Sequence, residues 1–183
     1  MDEIIISGFG GQGVISLGKF IALIALKEGR NVTYIPSYGV EVRGGTANCT
    51  VIYSEEEIAS PIVESPSTVF AMNAPSVVKF VPRMKKGGTL IYNSSLITSL
   101  PPGDDIVKLS VPANEIAISS GDVQTANVVM LGVYIGLGRL STAEKVSKMF
   151  EEVLKGREGL VGINRRALME GGEYLRGMQT SAR

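Results

Sequence analysis

The sequence predicts an α/β fold: a three-layer αβα single domain over residues 1–183, with a mainly parallel or mixed central sheet and a helical C-terminal third. Three observations support this prediction. The first strand, 3–7, is almost wholly apolar, as in sheets that are covered on both faces. A helix and a second strand follow it, which makes a βαβ unit. No repeat or linker divides the chain, and its last third has helical periodicity.

Strands and helices alternate through the first two thirds of the chain. The first helix ends at Gly29, and its inward face has helical spacing: Val14, Leu17, Ile21, Ile24 and Ala25. A short helix begins near Pro75. The remaining strands are predicted over 31–35, 47–54, 68–73, 89–93 and 104–113.

Three further helices are predicted in the C-terminal third. The segment 122–140 reads as a buried helix in which Gly132 and Gly136 allow close backbone approach. The next helix has a capping box formed by Ser141 and Glu144 and ends at Gly156. The last helix runs through 164–178.

Composition excludes several classes of function. The 183 residues are 44 % hydrophobic with a mean hydropathy of +0.21, which predicts a folded chain. The 18 basic and 18 acidic residues balance, which argues against a nucleic-acid partner. No histidine is present, so histidine-dependent triads and histidine-ligated zinc are excluded. The single Cys49 cannot hold an iron–sulfur cluster and is expected to be a buried, apolar-like side chain. No signal peptide or membrane span is evident, which predicts a cytoplasmic protein without a membrane partner.

A glycine loop follows the first strand. Gly8, Gly10 and Gly13 spell G-x-G-x-x-G, which favours either a tight turn with close helix packing or a loop that receives a phosphate or carboxylate. A true dinucleotide site also needs an acid at the end of the second strand, and that strand ends in "YIPS". Gln12 is expected either to cap the turn or to touch a ligand.

The stretch "PSYGVEVRGG" is the second unusual segment. Its proline and glycines predict a turn-rich loop that begins with a tight "PSYG" turn. Glu41 and Arg43 are two apart and share a face, so they pair with each other or meet a partner. The alternative is a solvent loop with a local ion pair of little energetic value. Replacing Arg43 with alanine is expected to weaken assembly or turnover while the isolated fold stays intact.

Four segments carry a resemblance to a known family: "GFGGQGVISLGKFIALIAL", "VTYIPSYGVEVRGGTANCTVIYS", "TANVVMLG" and "NRRALMEG". The chain resembles, over essentially its whole length, the gamma subunit of the 2-oxoacid:ferredoxin (or acceptor) oxidoreductases, the pyruvate/ketoisovalerate gamma family. It is most similar to the 2-oxoglutarate-type members.

The resemblance implies a non-catalytic subunit of an enzyme that decarboxylates a 2-oxoacid oxidatively, forms an acyl-CoA and reduces ferredoxin. Thiamine diphosphate and Mg would be held by alpha and beta subunits, and iron–sulfur clusters by other parts, including a ferredoxin-like delta subunit. This chain alone is expected to hold no cofactor, because its side chains supply neither a carbanion-stabilising group nor an electron carrier.

The resemblance also transfers two sets of site residues, with no catalytic residue and no metal ligand among them. The loop expected to face CoA or its phosphates comprises Gly8, Gly10, Gly11, Gln12 and Gly13. The set expected to face the partner or the active site comprises Pro36, Ser37, Tyr38, Gly39, Glu41, Arg43, Gly44, Gly45 and Asn127. Two other interpretations stay open: a stand-alone Rossmann-like dinucleotide-binding protein, and the small subunit of an indolepyruvate oxidoreductase.

Overall fold

The computed structural model describes residues 1–38, 45–102 and 105–181. Within those ranges six strands form one sheet: β1 (Asp2–Phe9), β2 (Asn31–Tyr38), β3 (Thr46–Ser54), β4 (Thr68–Ala71), β5 (Thr89–Asn93) and β6 (Val107–Val111). Their order is β2-β3-β1-β4-β5-β6. Strands β1, β4, β5 and β6 pair in parallel, whereas β3 is antiparallel to both of its neighbours. The predicted mixed, mainly parallel sheet is confirmed.

The predicted βαβ unit is present but split. Because β3 is antiparallel to both β1 and β2, these two strands run in the same direction with β3 between them. The connection from β2 to β3 spans only residues 39–45, and parallel neighbours need a crossover of a dozen or more residues. The chain therefore turns back as a hairpin before it continues to β4.

Helices cover both faces of the sheet: α1 (Val14–Lys27), α2 (Ala74–Phe80), α3 (Ala113–Ser120), α4 (Ala126–Gly136), α5 (Ala143–Val153) and α6 (Glu158–Ser181). Alternate side chains of β1 divide between the two faces. Ile4 and Ile6 join the larger core, which includes α1, α4, α5 and α6. Ile5 joins a smaller core under α2. This arrangement confirms the three-layer prediction, while α3 was not predicted and α6 begins six residues before the predicted start at 164.

Helices α4 and α6 approach so closely at Gly132 and Gly171 that a side chain at either position would overlap the backbone of the other helix. A Cβ added to Gly132 would overlap the carbonyl oxygen of Leu168, and one added to Gly171 would overlap that of Val129. At Gly136 the added Cβ would lie 3.0 Å from a methyl group of Leu175. The predicted close approach at Gly132 is confirmed, and Gly171 is its counterpart on α6.

The predicted capping box of α5 is wrong. Thr142 is the N-cap, and its hydroxyl oxygen accepts from the Lys145 backbone N–H at 3.4 Å. The Ser141 hydroxyl instead donates to Glu28 at the end of α1, at 2.6 Å. Glu144 pairs with Lys148 at 2.9 Å. The Ser141 side chain, predicted from the local sequence to cap α5, therefore makes a tertiary contact with the end of α1 instead.

A buried carboxylate joins four elements at the amino-terminal edge of the sheet. Asp2 accepts hydrogen bonds from Tyr134 (2.5 Å), Thr68 (3.2 Å), Tyr53 (3.3 Å) and Ser67. The Tyr53 and Tyr134 hydroxyls also lie 2.7 Å apart. Burial, followed by the Asp2 charge, raises the pKa of Tyr53 to about 12. This network ties β1, β3 and β4 to α4.

Among the described residues, no helix is at once long and apolar enough to cross a bilayer.

Candidate functional site

The carboxyl ends of β1, β4, β5 and β6 meet at one edge of the sheet, and the glycine loop lies there. Residues 8–13 connect the end of β1 to the start of α1. The chain leaves β1 toward the β2 side of the sheet, whereas β4, β5 and β6 fill the other side. This is the topological switch point at which α/β sheets bind ligands.

The glycines of this loop satisfy local steric demands. Gly11 and Gly13 have φ values of +94° and +72°, which side chains rarely adopt, and Gly13 is the N-cap of α1. A Cβ on Gly8 would lie 2.7 to 2.9 Å from side-chain atoms of Gln12, Met72 and Val14. The tight turn with close packing is therefore sufficient to require glycine at these positions.

Two amide side chains hold the loop in place. The Gln12 side chain accepts from the Phe9 N–H at 2.7 Å and donates to the Met72 carbonyl at 3.2 Å. Gln12 therefore caps the turn and ties it to the end of β4. The Asn127 side chain donates to the Gly13 carbonyl at 3.0 Å, which joins the start of α4 to the start of α1.

The predicted "PSYG" turn is wrong where the structure describes it. Pro36, Ser37 and Tyr38 continue β2 and pair with Cys49, Asn48 and Ala47. Strand β2 lies at the edge of the sheet, where a proline is tolerated because one side of the strand has no ladder to complete.

The rest of the second predicted loop lies largely outside the described residues. That applies to Gly39, Glu41, Arg43 and Gly44. Gly45 is described, and its carbonyl accepts from the Gly10 N–H at 3.0 Å. The end of the second loop thus lies beside the glycine loop, so the structure brings the two predicted segments together.

An open cleft of about 540 Å³, here called the glycine-loop cleft, lies between this loop and the start of α4. Its lining residues come from the glycine loop and α1, from the start of α4, from the β2–β3 pair and from α6: 9–11, 13–16, Phe20, Tyr38, Ala47, Asp122, Gln124, Thr125, Asn127, Leu160 and Asn164. Asp122 is the only Asp, Glu, Lys or Arg side chain among its described lining residues. A smaller cleft of about 170 Å³ shares Gly11 and Gln124 with it and has no charged lining residue in the described part of the chain.

Sequence reasoning named only part of this cleft. Asp122, Gln124 and Leu160 were not singled out. Thr125 and Asn164, however, open the segments "TANVVMLG" and "NRRALMEG", which carry the resemblance. For Thr125 the usable signal was a polar residue immediately before the apolar run of α4. Asn164 lies inside α6 and is followed by two arginines, so only the resemblance pointed to it.

Cys49 is buried beneath α1, as predicted, and its thiol lies 3.5 Å from the Val14 carbonyl oxygen. Burial raises the pKa of the thiol to about 12. Since the thiolate is the reactive species, burial makes the Cys49 thiol less reactive than a free cysteine at neutral pH.

Comparisons with known proteins agree with the fold. A family model described as pyruvate ferredoxin/flavodoxin oxidoreductase matches residues 3–174. Ketoisovalerate oxidoreductase subunit VorA of Methanothermobacter thermautotrophicus is 40 % identical over 175 residues, which cover 93 % of this chain and 36 % of that relative. The chain thus spans about a third of that protein's length.

Two shorter proteins match along most of their length. 2-Oxoglutarate synthase subunit KorC of Methanocaldococcus jannaschii is 32 % identical over 160 residues, or 85 % of this chain and 86 % of that one. The crystal structure of the gamma subunit of a keto/oxoacid ferredoxin oxidoreductase from Geobacter sulfurreducens superposes with a TM-score of 0.82 at 30 % identity. That match covers 97 % of this chain and 99 % of that one. This chain therefore belongs to the pyruvate ferredoxin/flavodoxin oxidoreductase family.

Proposed function

We propose that this chain is the gamma-type subunit of a thiamine-diphosphate- and iron–sulfur-dependent 2-oxoacid:ferredoxin oxidoreductase of the cytoplasm. The end-to-end match to the gamma subunit from Geobacter sulfurreducens carries the proposal, because both chains are covered almost completely. The reaction breaks the carbon–carbon bond that releases CO₂ and joins the acyl group to the sulfur of CoA. An electron pair leaves to ferredoxin and the thiol proton is released.

The described residues supply no ligand set for the Mg or the iron–sulfur clusters of that reaction. Its one thiol is buried and protonated at neutral pH. Across the described residues, no cluster of three or more histidine, cysteine, aspartate or glutamate side chains is placed to hold a metal ion. We assign thiamine diphosphate, Mg and the iron–sulfur clusters to alpha, beta and ferredoxin-like delta partners, and we assign no chemical step to this chain.

The glycine-loop edge is the face that we assign to those partners. Exposed apolar side chains surround the two clefts there: Phe9, Tyr38, Leu96, Val123 and Leu160. Depletion of charge together with exposed aromatic groups is the composition of an interface core. In the VorA relative the matched region is part of a chain almost three times as long, which supports a partner held permanently against this domain.

The proposed substrate is 2-oxoglutarate, because KorC has nearly the same length as this chain and matches 85 % of it. Ketoisovalerate is the second candidate, since VorA has the higher identity. An indolepyruvate enzyme is distinguished from both by the substrate that is turned over. The alternative, a stand-alone dinucleotide-binding protein, requires an acidic side chain at the end of the second strand. Strand β2 carries none from Asn31 to Tyr38.

The test is affinity purification of this chain from its native cells, followed by mass spectrometry, a visible spectrum and turnover assays. We expect larger partners to co-purify in a brown eluate that reduces ferredoxin with CoA and 2-oxoglutarate. Faster turnover of ketoisovalerate or indolepyruvate would correct the substrate alone. A chain that elutes alone, colourless and with NAD or FAD bound would overturn the proposal.

A further inference from the structure

The smaller cleft at the carboxyl edge, here called the Leu96 cleft, has the size of one side chain. It lies among the glycine loop, the turns after β4 and β5, and the starts of α3 and α4, and its volume is about 170 Å³. Sites that enclose a whole small-molecule ligand measure about 300 to 1,000 Å³. An apolar cavity of about 150 Å³ accommodates a single benzene ring. The Leu96 cleft therefore has room for one aromatic ring but cannot enclose a cofactor.

The lining of the Leu96 cleft suits such a ring. Apolar contacts come from Met72, Leu96, Val123 and Ala126. A methionine sulfur beside an aromatic ring is a favourable contact. Leu96 and Val123 belong to separate turns, and each is 46 % exposed. Because both line the same cleft, a ring placed there would remove apolar surface of both from water, which is favourable.

A buried asparagine fixes one wall of the cleft. Asn93 is fully buried, and its amide N–H donates to the Asn114 side-chain oxygen at 2.9 Å. Its oxygen accepts from the backbone N–H groups of Ser95 and Ala113, both at 3.2 Å. These bonds join the turn that carries Leu96 to the start of α3. A wall that is already ordered loses little conformational entropy when a partner binds.

The surroundings of the cleft indicate what occupies it. Leu96 and Val123 belong to the face that we assign to the partner subunits, so the cleft is continuous with that face. Asn114 and Gln124 add amide groups to the lining, which can bond a ring hydroxyl or the backbone beside the ring. Aromatic side chains that fill a preformed pocket near the centre of an interface supply much of its affinity.

We propose that the Leu96 cleft receives one aromatic side chain of a partner subunit, which anchors this chain in the assembled oxidoreductase. The proposal rests on the proposed function for the existence of that partner. It adds the position of the main contact and the chemical class of the partner residue that makes it.

A matched pair of substitutions tests the position. Leu96→Asp places a charge in the cleft, and Val78→Asp places the same charge at an exposed apolar residue of α2 that lines neither cleft. Dissociation constants are measured between each variant and the purified partner subunits. We expect Leu96→Asp to weaken binding about thirtyfold, as at an interface hot spot, and Val78→Asp by less than about twofold. Thermal unfolding of each isolated variant should match that of the wild-type chain, since both side chains are exposed.

Photo-cross-linking identifies the occupant. Leu96 is replaced by the photoreactive residue p-benzoylphenylalanine, the assembled enzyme is irradiated with and without saturating CoA, and mass spectrometry locates the cross-link. We expect it in one segment of a single partner that contains a phenylalanine, tyrosine or tryptophan, whether or not CoA is present. Replacing that aromatic residue with alanine should weaken assembly about thirtyfold, and adding Leu96→Asp should weaken it little further.

Three results would overturn the inference: equal effects of Leu96→Asp and Val78→Asp, a cross-linked segment without an aromatic residue that matters for assembly, or a cross-link that CoA abolishes. The last result would make the cleft part of a ligand site. A wild-type chain that co-purifies with no oxidoreductase partner would instead overturn the proposed function.

Discussion

At the amino-terminal edge of the sheet a buried carboxylate accepts hydrogen bonds from four hydroxyl groups, whereas at the carboxyl-terminal edge neutral amides hold a glycine loop. The adjoining clefts differ in the same way. The amino-edge cleft, about 890 Å³, has seven charged lining residues: Asp2, Glu3, Arg30, Glu55, Glu56, Glu57 and Arg139. The glycine-loop cleft has only Asp122 among its described lining residues.

This difference indicates that the amino edge stabilises the fold, whereas the carboxyl edge binds a ligand or partner. At the amino edge the buried charge is fully hydrogen-bonded and ties several elements together, and the other charges are largely solvated. At the carboxyl edge charge is scarce, backbone approaches are close and apolar side chains are exposed, which suits a surface that a ligand or partner completes. Substitutions at the first edge should therefore change the free energy of unfolding, and substitutions at the second should change assembly and turnover.

The largest expected effect on stability comes from Asp2→Ala. Removing the shared acceptor leaves the Thr68 hydroxyl without its acceptor and leaves the Tyr53 and Tyr134 hydroxyls with only each other, so the free energy of unfolding should fall by about 3 kcal/mol. Denaturant unfolding of the isolated chain measures it. Glu56→Ala, an exposed residue of the same edge, is the control and should change it by less than about 0.5 kcal/mol. Equal effects of the two substitutions would show that the network does not stabilise the fold.

A second effect, which appears only at alkaline pH, is expected from Cys49 in the core between the two edges. Burial raises the pKa of its thiol from 9.0 to about 12, so the folded chain keeps its proton where the unfolded chain loses it. This contribution is complete below pH 9 and is lost as the pH rises from 9 to 12. The slope should be about 1.4 kcal/mol per pH unit, and Cys49→Ala should flatten it.

Tyr53→Phe tests the amino edge in the same series of pH values, because Tyr53 belongs to the Asp2 network there. The pKa of Tyr53 is raised from 10.0 to about 12, so its influence begins one pH unit above that of Cys49. Unfolding curves of both variants between pH 8 and pH 11 are the measurement. A slope that neither variant changes would mean that other groups set the alkaline limit of stability.

The fold was predictable because period-2 and helical patterns are local properties of the sequence. Ser141 and Pro36 show where local rules fail. Serine is a common N-cap residue, but the Ser141 hydroxyl donates to Glu28 at the end of α1 instead. Proline is a common turn residue, but Pro36 lies within β2, at the edge of the sheet. Neither contact is visible from neighbouring residues.

The site was predictable only in part for the same reason. Glycines 8, 10 and 13 could be found by spacing, since the loop is contiguous. Asp122 and Gln124 reach the cleft because the start of α4 is bonded to the start of α1. Leu160 and Asn164 reach it because α6 packs along α4. That packing depends on Gly132 and Gly171, more than thirty residues apart, and only Gly132 was singled out from the sequence.

The smallest effect on stability, and the sharpest comparison of the two edges, comes from a matched pair of amides. Gln12 ties the glycine loop by two hydrogen bonds to the backbone. Asn31 ties the amino edge by two bonds to the carbonyls of Glu55 and Glu56, at 3.2 and 3.1 Å. Gln12→Ala and Asn31→Ala should each lower the free energy of unfolding by about 1 kcal/mol, because each removes comparable hydrogen bonds.

Turnover separates the two variants. Under the proposed function, Gln12→Ala in the assembled enzyme should lower kcat/KM for CoA by about tenfold, because the glycine loop loses its bond to the end of β4 and shifts. Asn31→Ala should leave kcat/KM unchanged. Equal losses in both variants would mean that stability alone governs turnover, and an unchanged Gln12→Ala enzyme would mean that the glycine loop takes no part in handling CoA.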